Sequence, residues 1–251
     1  MIFERFSQGT SLLHTTDTRI KLVSAMTVTL VIALCQNWRT ALIGLVFSII
    51  TAHFARLNFR AVFMRLLVVN SFTLFLWLTL PLTYPGESLI ALGPLTVSRE
   101  GVDLATLITL KTNAIIIFCI ALLATSTIAD IGHGLGKLRF PTKLCLLLLF
   151  SYRYIFVIHQ EFQRLTRAAQ LRCFQPGTNM HTYRTYGYLF GMTLVKSYHR
   201  AERVNQAMML RGFHGRFYSL NNTHISTTDL FFVTAMLITA AGLGILELFI
   251  F

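Results

Sequence analysis

The sequence predicts an all-α, polytopic membrane protein, and three observations carry that prediction. Hydrophobic residues make up 54% of the 251-residue chain and charged residues only 13%, about half the share with which a soluble domain keeps its surface wet. Apolar runs long enough to cross ~30 Å of hydrocarbon recur along the chain. Lysine and arginine then collect in particular connections between those runs, as they do where loops stay in the cytoplasm. Since lipid offers no partner to a free backbone N–H or C=O, the runs are expected to be helices. The same composition excludes a disordered chain, a disulfide-rich secreted domain and a coiled coil.

Five segments are read as spans. Leu22–Trp38 lies uncharged between Lys21 and Arg39, and Thr40–Ala55 follows between Arg39 and Arg56. Leu66–Gly86 is expected to break near Pro81 and Pro85. Thr112–Ala129 lies between Lys111 and Asp130, and Leu230–Phe251 carries Glu247 near its end. The N-terminal arm holds Arg5, Arg19 and Lys21, and the second connection holds Arg56, Arg60 and Arg65. The third, from Glu87 to Asp103, has three acids, Arg99 alone among basic residues, and turn residues at Gly86, Gly93 and Pro94. Basic connections face inward, so the N-terminus is expected in the cytoplasm and the C-terminus outside. The first 21 residues mix polar and charged side chains, and no secretory leader is read there.

The chain is thus expected to divide into residues 1–129, holding the arm and four spans, an insertion over residues 130–229, and a last span over residues 230–251. The insertion contains 13 basic and four acidic residues, a net +9 of the chain's +12. A soluble protein so charged would suggest nucleic acid; here the bias reads as a cytoplasmic helical domain against a bilayer, with no nucleic-acid partner. Within it Leu144–Ile158 is apolar but short and interrupted by Arg153, so it is read as a buried or interfacial helix. The Gly132–Lys137 stretch resembles a phosphate loop without its G-x-x-x-x-G-K-[ST] form, and is expected to be a flexible exit from the fourth span.

The insertion also repeats itself. Arg164 to Phe174 aligns with Arg203 to Phe213 in the pattern R-x-x-x-A-x-x-L-R-[C/G]-F, 39 residues apart. The shared positions are Ala168 and Ala207, Leu171 and Leu210, Arg172 and Arg211, Cys173 and Gly212, and Phe174 and Phe213. Each copy is expected to end a helix. Ile155, Ile158, Phe162, Leu165 and Ala169 form one apolar stripe, and Leu194, Tyr198, Ala201 and Met208 the other. Pro176-Gly177 stops the first helix, and Gly212 suits the left-handed position past the second. An arginine there presents five donors and a permanent charge to carboxylates or phosphates. The small neighbour admits another surface, and the phenylalanine offers an apolar anchor. Two such ends make a two-point plug, whereas one alone could simply cap its own helix.

These ends resemble the paired Ala-Arg-Gly signatures of the transmembrane (T) component of energy-coupling factor transporters, most closely the cobalt/nickel branch. Asp17-x-Arg19-x-Lys21-Leu22 resembles that family's N-terminal signature. Tyr152-Arg153-Tyr154 resembles the approach to its first coupling helix, and Ala201 through Gly215 its second. Leu171 and Leu210 depart from the family's alanine, and Cys173 from its first glycine. The resemblance implies a scaffold joining a membrane substrate-binding subunit to two cytoplasmic ATP-binding-cassette subunits. It also implies arginine tips seated in grooves of the ATPases, and cobalt or nickel as the substrate.

The chain itself shows no Walker motif, nucleophile–base set or carboxylate pair, so it is read as non-enzymatic, without cofactor, with ATP hydrolysis on partner chains. Its eight histidines lack HxxxH or HExxH spacing, and no metal site is expected. Cys35, Cys119, Cys145 and Cys173 read as unpaired core thiols, and Lys111 and Glu247 as edge residues extending to the interface. Two alternatives stay open. A lipid-head-group enzyme would use Arg172 and Arg211 as phosphate clamps with Glu161, Glu202 or His214 as acid or base. A stand-alone secondary transporter would show inverted repeats within the membrane, whereas the repeat here lies outside it.

Overall fold

The structure, a computed structural model, describes residues 13, 16–57, 59–92, 95–215 and 227–250. Arg5, Gly93, Pro94 and Phe251, and two of the eight histidines, His14 and His224, lie outside the described residues. In chain order the described elements are α1 (Thr18–Leu34), α2 (Trp38–Phe54), α3 (Phe59–Thr83), β1 (Ser88–Leu92), β2 (Leu95–Ser98), α4 (Arg99–Leu123), α5 (Ile128–Lys137), α6 (Thr142–Leu171), α7 (Met180–Leu210) and α8 (Thr227–Ile250). The chain forms two compact units. One comprises residues 1–134 and 222–251, the other residues 135–221.

Among the described residues the protein is all-α but for the β1–β2 hairpin, which pairs Ser88 with Ser98 and Leu92 with Leu95. Turn residues alone were legible there. Four helices, α3, α4, α6 and α8, are long and apolar enough to cross a membrane; α2 is a shorter apolar helix. Among the described residues the set differs from the five expected spans at three places: α1 and α2 fall short of it, and α6 joins it. Helix α1 is 17 residues long and starts at Thr18, drawing charged Arg19 and Lys21 into it. Helix α6 runs for 30 residues, so Leu144–Ile158 is the apolar first half of a helix that meets the length and composition of a span. Arg153 does not stop it, because the i→i−4 ladder is indifferent to a long side chain that can extend outward.

In the first unit, α2 packs through small residues. Thr40, Ala41, Gly44, Ser48 and Thr51 are buried, and such residues let helix backbones approach where no hydrophobic effect drives association. Phe118 of α4 and Val28 of α1 are fully buried in the same cluster as Met236, Ala240 and Leu243 of α8, with Phe47 of α2 against Phe118 at 5.9 Å. Helix α3 continues through Pro81 and ends before Pro85. It meets α4 so closely that a Cβ on Gly101 would lie 2.7 Å from the Leu80 carbonyl oxygen. The outward side of α3 carries Phe63, Val68, Phe72 and Leu78, all largely exposed, as expected of a surface solvated by acyl chains.

Two polar contacts fix the direction of α8 relative to α1. At one end the Asp17 N–H donates to Asp229 Oδ1 at 3.3 Å. At the other, Glu247 accepts from the N–H groups of Gln36 at 2.6 Å and Asn37 at 3.1 Å, and its second oxygen accepts from Thr40 Oγ1 at 2.5 Å. The two helices therefore run parallel. Lys111 donates to the Ala33 carbonyl at 3.0 Å. Neither Lys111 nor Glu247 simply reaches for the interface: both serve the α1–α2 turn, Glu247 supplying the cap that the Asn37 side chain leaves unmade.

Gly132–Lys137 is also reassigned. It is helical, as part of α5, with Gly132 and Gly134 buried. These glycines resemble a flexible linker in sequence, yet Gly134 packs in ordinary contact against Leu22, Arg19 and Thr18 of α1.

Candidate functional site

The second unit is built on α6 and α7. Phe162 stacks on Phe190 with centroids 4.7 Å apart, and Phe174 meets Tyr186 edge-on at 5.8 Å. Residue numbers rise along one helix as they fall along the other, so the pair is antiparallel. Glu161 pins the crossing. Its carboxylate, nearly buried, receives Lys196 Nζ at 2.8 Å, Arg164 at 3.4 Å and Arg200 at 3.7 Å. The hydrogen bond from Lys196 is the largest influence holding this carboxyl below its ordinary range, aided by the three cations and opposed by burial. Glu161 lies past the apolar half of α6 and is committed to these pairs, while Glu202 faces His199 at 3.5 Å.

The inward face of α7 differs from the stripe expected of it. Buried or half-buried positions are Thr182, Thr185, Tyr186, Leu189, Thr193, Ser197, Arg200, Val204 and Met208, whereas Leu194 and Tyr198 are largely exposed and Ala201 is exposed. Ile155 and Ile158 of α6 are exposed as well. Phe162, Leu165 and Ala169 of the first expected stripe and Met208 of the second are half-buried as expected; the rest of each stripe misleads because small polar residues and ion pairs take part in closing the hairpin.

Both repeat copies end their helices in one geometry. After α6, the Cys173 N–H bonds the Gln170 carbonyl at 3.0 Å and the Phe174 N–H bonds Ala169 at 3.1 Å. After α7, the Gly212 N–H bonds Met209 at 3.0 Å and the Phe213 N–H bonds Met208 at 3.0 Å. Cys173 (φ 63°) and Gly212 (φ 74°) occupy the left-handed region. This is the Schellman closure, with the left-handed residue just past the cap. Arg172 and Arg211 are the two cap residues. Since the backbone satisfies the helix-end carbonyls itself, the guanidinium groups are not needed as caps.

At these ends Leu171 is 88% exposed and Leu210 90%. Arg172, Arg211, Ala168, Ala207, Arg164 and Arg203 are exposed too. Phe174 is instead half-buried on Tyr186 and His181, and Phe213 is likewise half-buried. The exposed apolar side chains beside the charges are therefore the leucines, and Phe174 packs behind its turn instead. Cys173 is exposed rather than a core thiol, whereas Cys35 and Cys145 are buried. Among the described residues no group of histidine, cysteine and carboxylate side chains is placed to hold a metal ion.

The two ends are far apart. Phe174 sits beside Tyr186, and 25 residues of α7 separate Tyr186 from Arg211, about 40 Å at ~1.5 Å per residue. The site is thus a pair of exposed Leu-Arg points, each with a left-handed turn behind it, at opposite ends of one rigid hairpin.

The chain is similar to known proteins over most of its length. The chain is 26% identical over 226 residues to the energy-coupling factor transporter transmembrane protein EcfT of Macrococcus caseolyticus, covering 86% of this chain and 85% of that one. It is 25% identical to EcfT 1 of Listeria monocytogenes over 98% of both chains. A stretch of 93 residues, 37% of this chain and 33% of the relative, is 33% identical to the nickel permease LarQ of Lactiplantibacillus plantarum. The cobalt transport protein (CbiQ) family model matches residues 9–225, taking in α1 through both arginine-bearing helix ends, and the chain belongs to that family.

Proposed function

We propose that the chain is the transmembrane coupling component of an energy-coupling factor transporter. It joins a membrane substrate-binding subunit to two cytoplasmic ATP-binding-cassette subunits, which hydrolyse the ATP, and the cargo is cobalt or nickel. The observation that carries this reading is the duplicated Leu-Arg helix end, identical in hydrogen bonding and exposed at both copies. A separation of about 40 Å along α7 suits two sockets on two ATPases better than one. Closure of the ATPase pair would move both points together, because Glu161 ties α6 to α7, and the hairpin would carry the motion to the membrane part. The exposed apolar side of α7, with Tyr188, Leu194 and Tyr198, suits the membrane substrate-binding subunit or lipid.

In this reading the insertion at residues 130–229 is cytoplasmic, joined to five spans, with the N-terminus inside and the C-terminus outside. Its net +9 supports that side. Asp130 and Asp229, at its two ends, both act on Lys21, so it leaves and re-enters the membrane part at one point. An odd number of crossings between them does not fit. The nickel permease relative supports the metal.

The test is co-purification from detergent of the tagged chain with its ATPase pair, as wild type and as Arg172→Glu with Arg211→Glu. Removing one side of a buried interfacial charge pair costs on the order of 2–5 kcal/mol, roughly 30-fold or more in Kd. Capture by wild type and loss in the double variant are expected. Equal capture by both, or by neither, overturns the reading.

A further inference from the structure

Three helix amino-termini of the first unit converge. Asp17 is the N-cap of α1, its Oδ1 accepting the Arg19 N–H at 3.0 Å. Thr127 and Asp130 cap α5 reciprocally: the Asp130 N–H donates to Thr127 Oγ1 at 3.1 Å, and that hydroxyl donates to Asp130 Oδ2 at 2.6 Å. Asp229 stands in the first turn of α8 and accepts the Asp17 N–H. Each carboxylate suits the partial positive charge at a helix start, but three of them in one place repel. Arg19 answers part of that repulsion, its Nε 3.7 Å from Asp17 Oδ2, and Lys21 answers the rest. It is 1% exposed, its Nζ donates to Ser126 Oγ at 3.0 Å, and the charges of Asp130, Asp229 and Asp17 all act on it.

Packing brings α5 to the same place independently of charge. A Cβ on Gly134 would lie 3.4 Å from Leu22 Cδ1 and 3.5 Å from both the Arg19 nitrogen and Thr18 Cβ, so α5 rests on the first turn of α1. This α5 is the helix by which the chain leaves the membrane part for the coupling hairpin, and α8 is the helix by which it returns.

We propose that Lys21 is a positioning residue for energy coupling, the ionic pin that holds the outgoing helix α5 and the returning helix α8 to α1, so that motion of the hairpin is delivered to the membrane helices and not lost at a loose joint. This rests on the coupling reading above. With Lys21→Met, Asp17 keeps Arg19 but Asp130 and the buried Asp229 lose their counter-charge, and the joint loosens. The surfaces that seat the ATPases, in the other unit, are untouched.

The test uses the full chain assembled with its ATPases and substrate-binding subunit in nanodiscs, in a Cys173→Gly background. Spin labels at Thr178→Cys and Trp38→Cys report the distance between hairpin and membrane part, with and without ATP trapped by vanadate. In the reference complex the distance should change on trapping. Lys21→Met should still bind the ATPases and hydrolyse ATP at close to the reference rate, yet lose the change; Lys21→Arg, which keeps the charge, should retain it. A merely structural role would lower the yield of complex without separating hydrolysis from movement. If Lys21→Met fails to assemble, Ser126→Ala with Asp130→Asn frees α5 alone and should give the same uncoupling. A full distance change in either variant that assembles overturns the inference. A reference complex that binds no ATPase, or shows no change, overturns the coupling reading instead.

Discussion

The backbone N–H of Asp17 donates to the carboxylate of Asp229, 212 positions away, at 3.3 Å. This bond joins the start of the first described long helix to the start of the last, so two helices more than 200 positions apart begin at one place. Asp229→Ala should leave the Asp17 N–H without that acceptor in a site where Asp17 is 7% exposed. An unmade buried hydrogen bond costs about 1–3 kcal/mol, and a lower midpoint in thermal unfolding of the detergent-solubilised protein would show it. An unchanged midpoint would mean that water replaces the carboxylate.

At the opposite end, Glu247→Ala should remove the acceptor that serves Gln36, Asn37 and Thr40. Loss of an N-cap costs about 0.5–2 kcal/mol. Hydrogen exchange should rise in the first turn of α2 and stay as in wild type in α7.

Cys173→Gly should stabilise the protein. A non-glycine residue in the left-handed region costs about 1–2 kcal/mol, and Cys173 is held there at φ 63°. Added chain entropy in the unfolded state offsets part of this, leaving a gain of about 1 kcal/mol or less. The reverse change, Gly212→Ala, meets open space around its Cβ but the same backbone cost, and should destabilise by a similar amount. Paired melting curves would check both signs.

Leu171→Asp and Leu210→Asp should leave the melting temperature unchanged, since the two side chains are 88% and 90% exposed, and should still abolish capture of the ATPase pair. If either variant binds ATPase as wild type does, the leucines are not anchors and the arginines act alone.

Glu161→Gln should loosen the α6–α7 hairpin, leaving Lys196, Arg164 and Arg200 to repel around a neutral group. Protease cleavage in the connection at residues 172–179 should quicken relative to wild type. The same bond gives a pH dependence of definite sign. Because the folded carboxyl titrates below its unfolded value, near ~4.3, its contribution is complete above that value and is lost as pH falls through the lower, folded one. Glu161→Gln should therefore flatten the acid limb of hairpin stability.

The repeat was legible because a helix end needs particular residues at fixed offsets: a small residue able to turn left-handed, and a cap just before it. Those requirements are local, so Cys173 and Gly212 declared them in sequence. The roles of the neighbours were not legible. Phe174 resembles an exposed anchor until Tyr186 is brought beneath it, and Leu171 resembles a substitution until nothing covers it. The inward face of α7 was misread for a related reason, since Thr193, Ser197 and Arg200 carry no hydrophobic signal yet form the contact.

What the sequence by itself determined is the class of protein, the run of helices, the charge of the insertion and the two Leu-Arg ends, all of which follow from composition and from spacing within one helix. What only the tertiary structure decided is which charges meet. Lys21, Asp17, Asp130 and Asp229 are spread over more than 200 positions, and Glu247 caps a helix to which it does not belong. Such partnerships arise because a buried charge must be answered by whichever chain segment packing brings to it, and no local pattern records that choice.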